Sequence, residues 1–146
     1  MINTVYRLVA PRRFEIAFED IALFGDNAIV RPTNLSICNA EMRYYLGTRD
    51  AKVLAEKLPM ALIHEGVGVV MRDPSGKFAP GDRVVMVPNC PTETDEYIGE
   101  NYLRSSKFCG SSMDGFLQEY VEISPRRLVK LPQDINMNVA AFTEIV

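Results

Sequence analysis

The chain of 146 residues carries one histidine, His64, only three cysteines, and no apolar run approaching the length of a membrane span. Each scarcity excludes something. A transmembrane helix needs ~18 or more consecutive apolar residues, so no helical span is expected. Cys38, Cys90 and Cys109 are too few and too scattered for a disulfide framework. The stretch from Met1 to Pro11 has no leader-like apolar core, and Arg12-Arg13 follow it rather than precede it. With an odd cysteine count, this points to a reducing, cytoplasmic setting. No Gly-x-x-x-x-Gly-Lys occurs, and no Gly-x-Gly-x-x-Gly follows a strand, so neither a P-loop nor a dinucleotide-binding turn is expected within these residues. A net charge of −3 gives no bulk attraction to nucleic acid or to an anionic membrane. There is no internal repeat and no low-complexity run.

What is present suits one globular domain. Hydrophobic residues make up 47% of the chain and charged residues 24%, both ordinary values. A domain of this length buries roughly 68–70% of its unfolded surface, enough for a core without staples. Short β-type runs dominate: Thr4–Val9, Phe14–Phe18, Asn27–Arg31, Ala61–Val70, Asp82–Val87, Gly115–Ile123 and Leu128–Leu131. Asp73-Pro74-Ser75-Gly76 reads as a tight turn, with proline second and glycine fourth. Helical patterns are few. Asn39–Leu46 makes a short helix after Cys38, and Asp50–Lys57 spaces Ala51, Val53, Leu54 and Leu58 on one face. Asn136–Val146 opens a third helix, capped by Asn136 or Asn138. It shows no stop signal at Val146, so more protein is expected to follow. Residues Cys90 to Met113 form a long, polar, aperiodic lobe, and connections of that length are often functional.

The densest chemistry lies in Ala61-Leu62-Ile63-His64-Glu65-Gly66-Val67-Gly68. A sole imidazole stands beside a carboxylate at the entrance to a strand. Cys38 lies upstream and Glu144 near the last residue. Thiolate, imidazole and carboxylate together favour zinc. Gly66 and Gly68 read either as a place where another segment or a cofactor approaches the strand closely, or as a bulge or barrel corner. Cys90 and Cys109 read as free thiols, and Arg126-Arg127 as a solvated turn.

Four pieces in a fixed order carry a resemblance: Ser36-Ile37-Cys38, His64-Glu65-Gly66-Val67-Gly68, Phe78-Ala79-Pro80-Gly81-Asp82-Arg83-Val84 and Asp114-Gly115-Phe116-Leu117-Gln118-Glu119-Tyr120-Val121. The chain resembles the N-terminal catalytic, GroES-like domain of zinc-dependent medium-chain alcohol and polyol dehydrogenases, over nearly its whole length. Arg43–Arg49, Lys57–Glu65 and Glu100–Phe108 further resemble the ribulose-5-phosphate reductase (ribitol-5-phosphate dehydrogenase) branch, which serves teichoic-acid synthesis.

The resemblance implies a mainly β fold, a GroES-like partly open barrel with a few short helices over 1–146. The Rossmann, nucleotide-binding domain that follows in relatives is absent from these residues. It implies zinc-assisted, NADPH-dependent reduction of D-ribulose 5-phosphate to D-ribitol 5-phosphate, with NADPH bound by the missing domain and this domain inactive alone. By the same resemblance, Cys38, His64 and Glu65 carry the catalysis. Zinc is held by Cys38, His64, Glu65 and Glu144, with one glutamate direct and the other through water or by exchange. Glu41 supports the site from behind, where relatives often have Asp. Arg43, Arg49, Arg104 and Lys107 are the candidate cations for the sugar phosphate, with Ser105 and Ser106 as added donors. Tyr44 and Tyr45 read either as pocket lining or, in preference, as packing. Implied partners are a small phosphorylated sugar, a ribitol-5-phosphate cytidylyltransferase in the pathway, and a second copy through the missing domain.

Two departures from the family matter. Ala40 stands where many relatives have a hydroxyl that relays the proton, so the relay must differ. Cys90 and Cys109 stand where relatives have four cysteines, so a four-thiolate structural zinc is excluded within one chain. Two other readings stay open: a polyol or alcohol dehydrogenase with an unphosphorylated substrate, and a metal-free GroES-like binding or assembly module.

Overall fold

A computed structural model describes residues 1–145. Its strands are β1 (Ile2–Ala10), β2 (Arg13–Asp20), β3 (Ala28–Ser36), β4 (Met60–Ala61), β5 (Glu65–Arg72), β6 (Arg83–Met86), β7 (Asn89–Cys90), β8 (Lys107–Phe108), β9 (Val121–Ile123) and β10 (Leu128–Lys130). The helices are α1 (Asn39–Tyr45), α2 (Ala51–Lys57) and α3 (Met137–Ala140), with short 3-10 turns at Glu100–Tyr102, Pro125–Arg127 and Thr143–Ile145. Among the described residues, no helix is long and apolar enough to cross a membrane.

Five strands form the main sheet in the order β10-β6-β5-β3-β9, and three form a second sheet in the order β2-β1-β4. All these pairings are antiparallel. The segment leading into β9 joins the two sheets. Val5 bridges Gln118, the Tyr6 amide donates to the Leu117 carbonyl at 3.1 Å, and the Glu119 amide donates to the Thr4 carbonyl at 2.8 Å. The result is a curled, partly open barrel closed around Leu8, Val30, Val70, Val84, Met86, Phe116 and Leu128. A smaller cluster lies on the other face of β5 and β6, where Ala140 and Ala141 pack with Val67 and Val85. Burial on both faces explains why β5 reads as a nearly unbroken apolar run rather than an alternating one.

Most predicted elements form within a residue or two, and two of the exceptions share a cause. The single strand predicted over Ala61–Val70 is two strands, β4 and β5, with a break between them. There Ile63 takes φ 74°, a region that β-branched residues rarely occupy. The freed carbonyls have other partners: Gly115 donates to Ala61 at 2.7 Å, Phe116 to Ile63 at 2.7 Å and Leu117 to Leu62 at 3.1 Å. The predicted strand over Gly115–Ile123 therefore becomes regular only at Val121, because its first half holds the break in place. The third helix is regular only over Met137–Ala140 and then tightens into the 3-10 turn. Val146, the last residue of that predicted helix, lies outside the described residues. β3 runs further than predicted, past Pro32 to Ser36. It absorbs the proline at a register shift between Pro32 and Asn34.

Gly66 and Gly68 accommodate β3. A Cβ on Gly68 would sit 2.5 Å from the Arg31 carbonyl oxygen, and one on Gly66 would sit 2.6 Å from Leu35 Cδ2. The close approach is thus made by a neighbouring strand of this chain. Tyr44 is core, packed with the main cluster. Arg127 is not solvated: it pairs with Glu100 at 2.5 Å with its side chain only 13% exposed.

Candidate metal centre

The centre is assembled by a helix start and a broken strand. Cys38 is the N-cap of α1, and its sulfur accepts from the Ala40 amide at 3.2 Å. Glu41, at the third helical position, accepts the Cys38 amide on Oε2 at 3.0 Å. This is a capping box with a thiol in the place usually taken by a hydroxyl. The other oxygen of Glu41 lies 2.5 Å from His64 Nδ1. One buried carboxylate thus ties the start of α1 to the imidazole and holds a proton on Nδ1, leaving the lone pair of the neutral ring on Nε2.

Nε2 faces two further groups. Cys38 Sγ lies 3.8 Å away and Glu65 Oε1 3.6 Å away. Ligand atoms from Cys38, His64 and Glu65 all lie within 4.8 Å of one another. Tetrahedral zinc with bonds of ~2.0–2.3 Å sets its ligand atoms about 3.3–3.6 Å apart, so the three atoms need only a slight contraction to share a cation. Glu65 adds an independent sign of fit, since its Oε2 is buried and has no hydrogen-bond partner. A buried carboxylate oxygen without a donor is costly unless a cation completes it. The residues present therefore fit a single zinc-type ion.

The local electrostatics point the same way. A hydrogen bond to Glu41 raises the His64 pKa against the opposing effect of burial, with smaller help from the fields of Glu41, Glu144 and Glu65. Burial, together with the hydrogen bond to Glu41, raises the Cys38 thiol. Burial also works to raise Glu41, but hydrogen bonds from His64 and Cys38 dominate and leave it lowered. The cluster concentrates negative charge around a thiol, which is the setting a divalent cation reverses by displacing the thiol proton.

Other predicted residues are placed less centrally. Glu144 is half-buried and acts on His64 through its field, but it is not within the three-atom cluster. Arg43, Arg104 and Lys107 are exposed. Among the described residues, none of Arg43, Arg49, Arg104 and Lys107 is in an ion pair. Arg49 lies 4.5 Å over the Tyr44 ring, and its Nε is buried without a partner. Beside the centre, Phe14, Ile37, Met42, Tyr45, Leu62 and Leu117 line an apolar cleft of about 280 Å³ that reaches Glu41.

Several contributors carried no ligand-like signature in the sequence. Phe108 packs edge-on against the His64 ring, with centroids 5.2 Å apart. Asp114 accepts the Ala61 amide at 2.7 Å and pairs with Arg7, pinning the strand just before the break. Gly115 lies against that break: a Cβ there would come within 2.2 Å of the Ile63 carbonyl oxygen and 2.5 Å of that of Leu62. The Asp-Gly pair is visible in the sequence, but its task of supporting residues fifty positions earlier is not.

The sequence profile of the alcohol dehydrogenase GroES-like domain matches residues 25–133. The chain belongs to this family. Ribulose-5-phosphate reductase of Bacillus spizizenii is 57% identical over all 146 residues, which cover 43% of that protein. A crystal structure of Staphylococcus aureus TarJ in complex with NADPH superposes with a TM-score of 0.78 at 42% identity, over 99% of this chain and 38% of that one. L-idonate 5-dehydrogenase of Escherichia coli superposes with a TM-score of 0.87 at 24% identity, over 99% and 44% of the two chains, a likeness of fold alone. These residues therefore span less than half the length of the relatives they match.

Proposed function

We propose that this domain is the zinc-bearing catalytic half of an NADPH-dependent reductase that converts D-ribulose 5-phosphate to D-ribitol 5-phosphate. The observation that carries the proposal is the convergence of Cys38, His64 and the partnerless oxygen of Glu65. Its substrate and cofactor rest on the relatives: one is a ribulose-5-phosphate reductase, and another was crystallised with NADPH. When bound, zinc supplies Lewis acidity toward a ketone oxygen and NADPH supplies the hydride.

The chain's own residues do the rest. Cys38, His64 and Glu65 hold the cation, and Glu144 is the nearby carboxylate available for exchange. Glu41 keeps the imidazole in the tautomer that presents Nε2. Arg43, Arg49, Arg104 and Lys107, without competing ion pairs among the described residues, are the candidate grips for the phosphate, Arg49 being stiffened by its seat over Tyr44. Ala40 has no hydroxyl, so the proton for the product oxygen comes through water, Glu65 or a substrate hydroxyl. The apolar cleft beside Glu41 gives the centre one flank lined by apolar side chains. The nicotinamide-binding domain is proposed to lie outside these residues, and pairing of two copies is assigned to it. The product is suited to a cytidylyltransferase.

The test uses these residues joined to a nicotinamide-binding domain, assayed with NADPH on ribulose 5-phosphate and on ribulose. Turnover of the phosphate ester only, lost with chelator and restored by zinc, is the expected result. Equal turnover of ribulose would transfer the function to an unphosphorylated polyol. A protein purified without zinc and indifferent to His64→Ala would leave only a binding module.

A further inference from the structure

Cys90 and Cys109 are 19 residues apart in the chain, and both lie in the polar lobe outside the candidate metal centre. The two-strand ribbon of the lobe brings them together. Cys90 pairs across from Lys107 and Asn89 from Phe108, and the Cys109 amide donates to the Pro88 carbonyl at 3.0 Å. This register puts the two cysteines on one face of the ribbon as diagonal neighbours, with sulfurs 3.7 Å apart. Both thiols are free. Their surroundings differ: Cys109 is buried while Cys90 is half-exposed. Cys90 lines a cleft of about 370 Å³ together with Thr92, Glu93, Ser124, Arg126 and Arg127.

We infer that Cys90 and Cys109 form a reversible intrachain disulfide, with Cys90 the thiol that meets a low-molecular-weight disulfide in this cleft and Cys109 the thiol that resolves the adduct. Exposure separates the roles, because Cys90 is half-exposed while Cys109, the sulfur within range of it, is only 4% exposed. The two arginines of the cleft are matched by Glu93 and by Glu100, the latter paired with Arg127, so no net charge there repels a small disulfide. The two-residue strands leave little regular ladder to resist the further approach of sulfurs that a bond of ~2.05 Å requires. The thiol chemistry agrees. A hydrogen bond from Cys109, with help from the charge of Arg127, brings the Cys90 pKa down to about 7. The same hydrogen bond and burial push Cys109 up. Of the two thiols, Cys90 is thus the one that ionises first, while Cys109 keeps its proton.

The exchange balances. The Cys90 thiolate attacks one sulfur of the small disulfide, whose S–S bond breaks, and the departing thiolate takes a proton from water. Once Cys90 is capped, it no longer holds the Cys109 proton by charge. Cys109 loses that proton to solvent and attacks Cys90 Sγ, expelling the second small thiol. Two cysteine thiols are oxidised, and one small disulfide is reduced to two thiols. The bond would form next to Phe108, whose ring packs on His64, so it would brace the lobe side of the metal centre. The inference does not rest on the proposed reaction.

The experiment equilibrates the native protein with glutathione at increasing ratios of disulfide to thiol, blocks the remaining thiols, and maps peptides by mass. The expected product is a Cys90–Cys109 cross-link, with two of the three thiols lost to alkylation and recovered on reduction. Cys109→Ser should accumulate a glutathionyl adduct on Cys90, and Cys90→Ser should leave Cys109 unmodified. The wild-type map needs no variant to fold. No cross-link at the most oxidising ratio, one that involves Cys38, or an adduct on Cys109 in preference to Cys90 would overturn the inference.

Discussion

Glu41 does more with one side chain than any other residue near the centre. Its two oxygens close the start of α1 and fix the imidazole. Replacing it by glutamine keeps the volume but removes the charge and one acceptor. Loss of such a carboxylate behind a metal-bound histidine typically weakens metal affinity by about 10–100-fold. Glu41→Gln is expected to fold normally, by circular dichroism, and to surrender zinc to a competing chelator in that range. Gly115 is the opposite kind of residue, valuable for having no side chain. The Cβ of Gly115→Ala would drive into two backbone carbonyls that cannot rotate away. Overpacking of this kind costs about 1–3 kcal/mol, read as a lower urea midpoint with an unchanged slope. Residue types made Cys38, His64 and Glu65 legible as zinc-type donors from the sequence. Phe108, Asp114 and Gly115 were not legible in these roles, because each acts on a segment far away in the chain.

Among the elements, the turn before β6 shows how charge fixes local geometry. Asp82 accepts the Ala79 amide at 2.9 Å and binds Lys130, at the end of β10, at 2.7 Å. The Lys130 hydrogen bond, with that of Ala79, holds the Asp82 pKa below its ordinary value. A carboxylate lowered in the folded state adds stability that is fully present above the unfolded value of 3.8. That stability is lost as pH falls through the lower folded value. Asp82→Asn is therefore expected to reduce stability at neutral pH and to flatten its decline below about pH 4, measured by urea unfolding across that range. The Pro80-Gly81-Asp82 start of this strand was readable because turn chemistry is local. The break at Ile63 was not. Nothing in Leu62-Ile63-His64 discourages a strand, and the positive φ there is held by hydrogen bonds from residues 116 and 117. Tertiary contacts overrode a local β preference.

For the folded domain as a unit, the candidate centre links α1, the strand break and β5. A cation bound there is bound only when all three are in place, so metal binding stabilises the folded state by mass action. At a free zinc concentration a hundred times the dissociation constant, the gain is about 2.7 kcal/mol. The zinc-loaded protein is expected to melt at a higher temperature than the chelated one, with the difference abolished in Cys38→Ser. A melting temperature indifferent to zinc would deny the site. Residue order alone was enough to indicate a mainly β domain, the places where its turns and helix starts fall, and a donor set suited to zinc. These depend on hydrophobic period, turn chemistry and side-chain type, all of which act over a few neighbouring positions. Only the folded chain decided that Ile63 breaks the strand, that Glu41 joins helix to imidazole, and that Cys90 meets Cys109. Each of these depends on distances between segments remote in the chain, which are set by how the sheets curl and pack around one core.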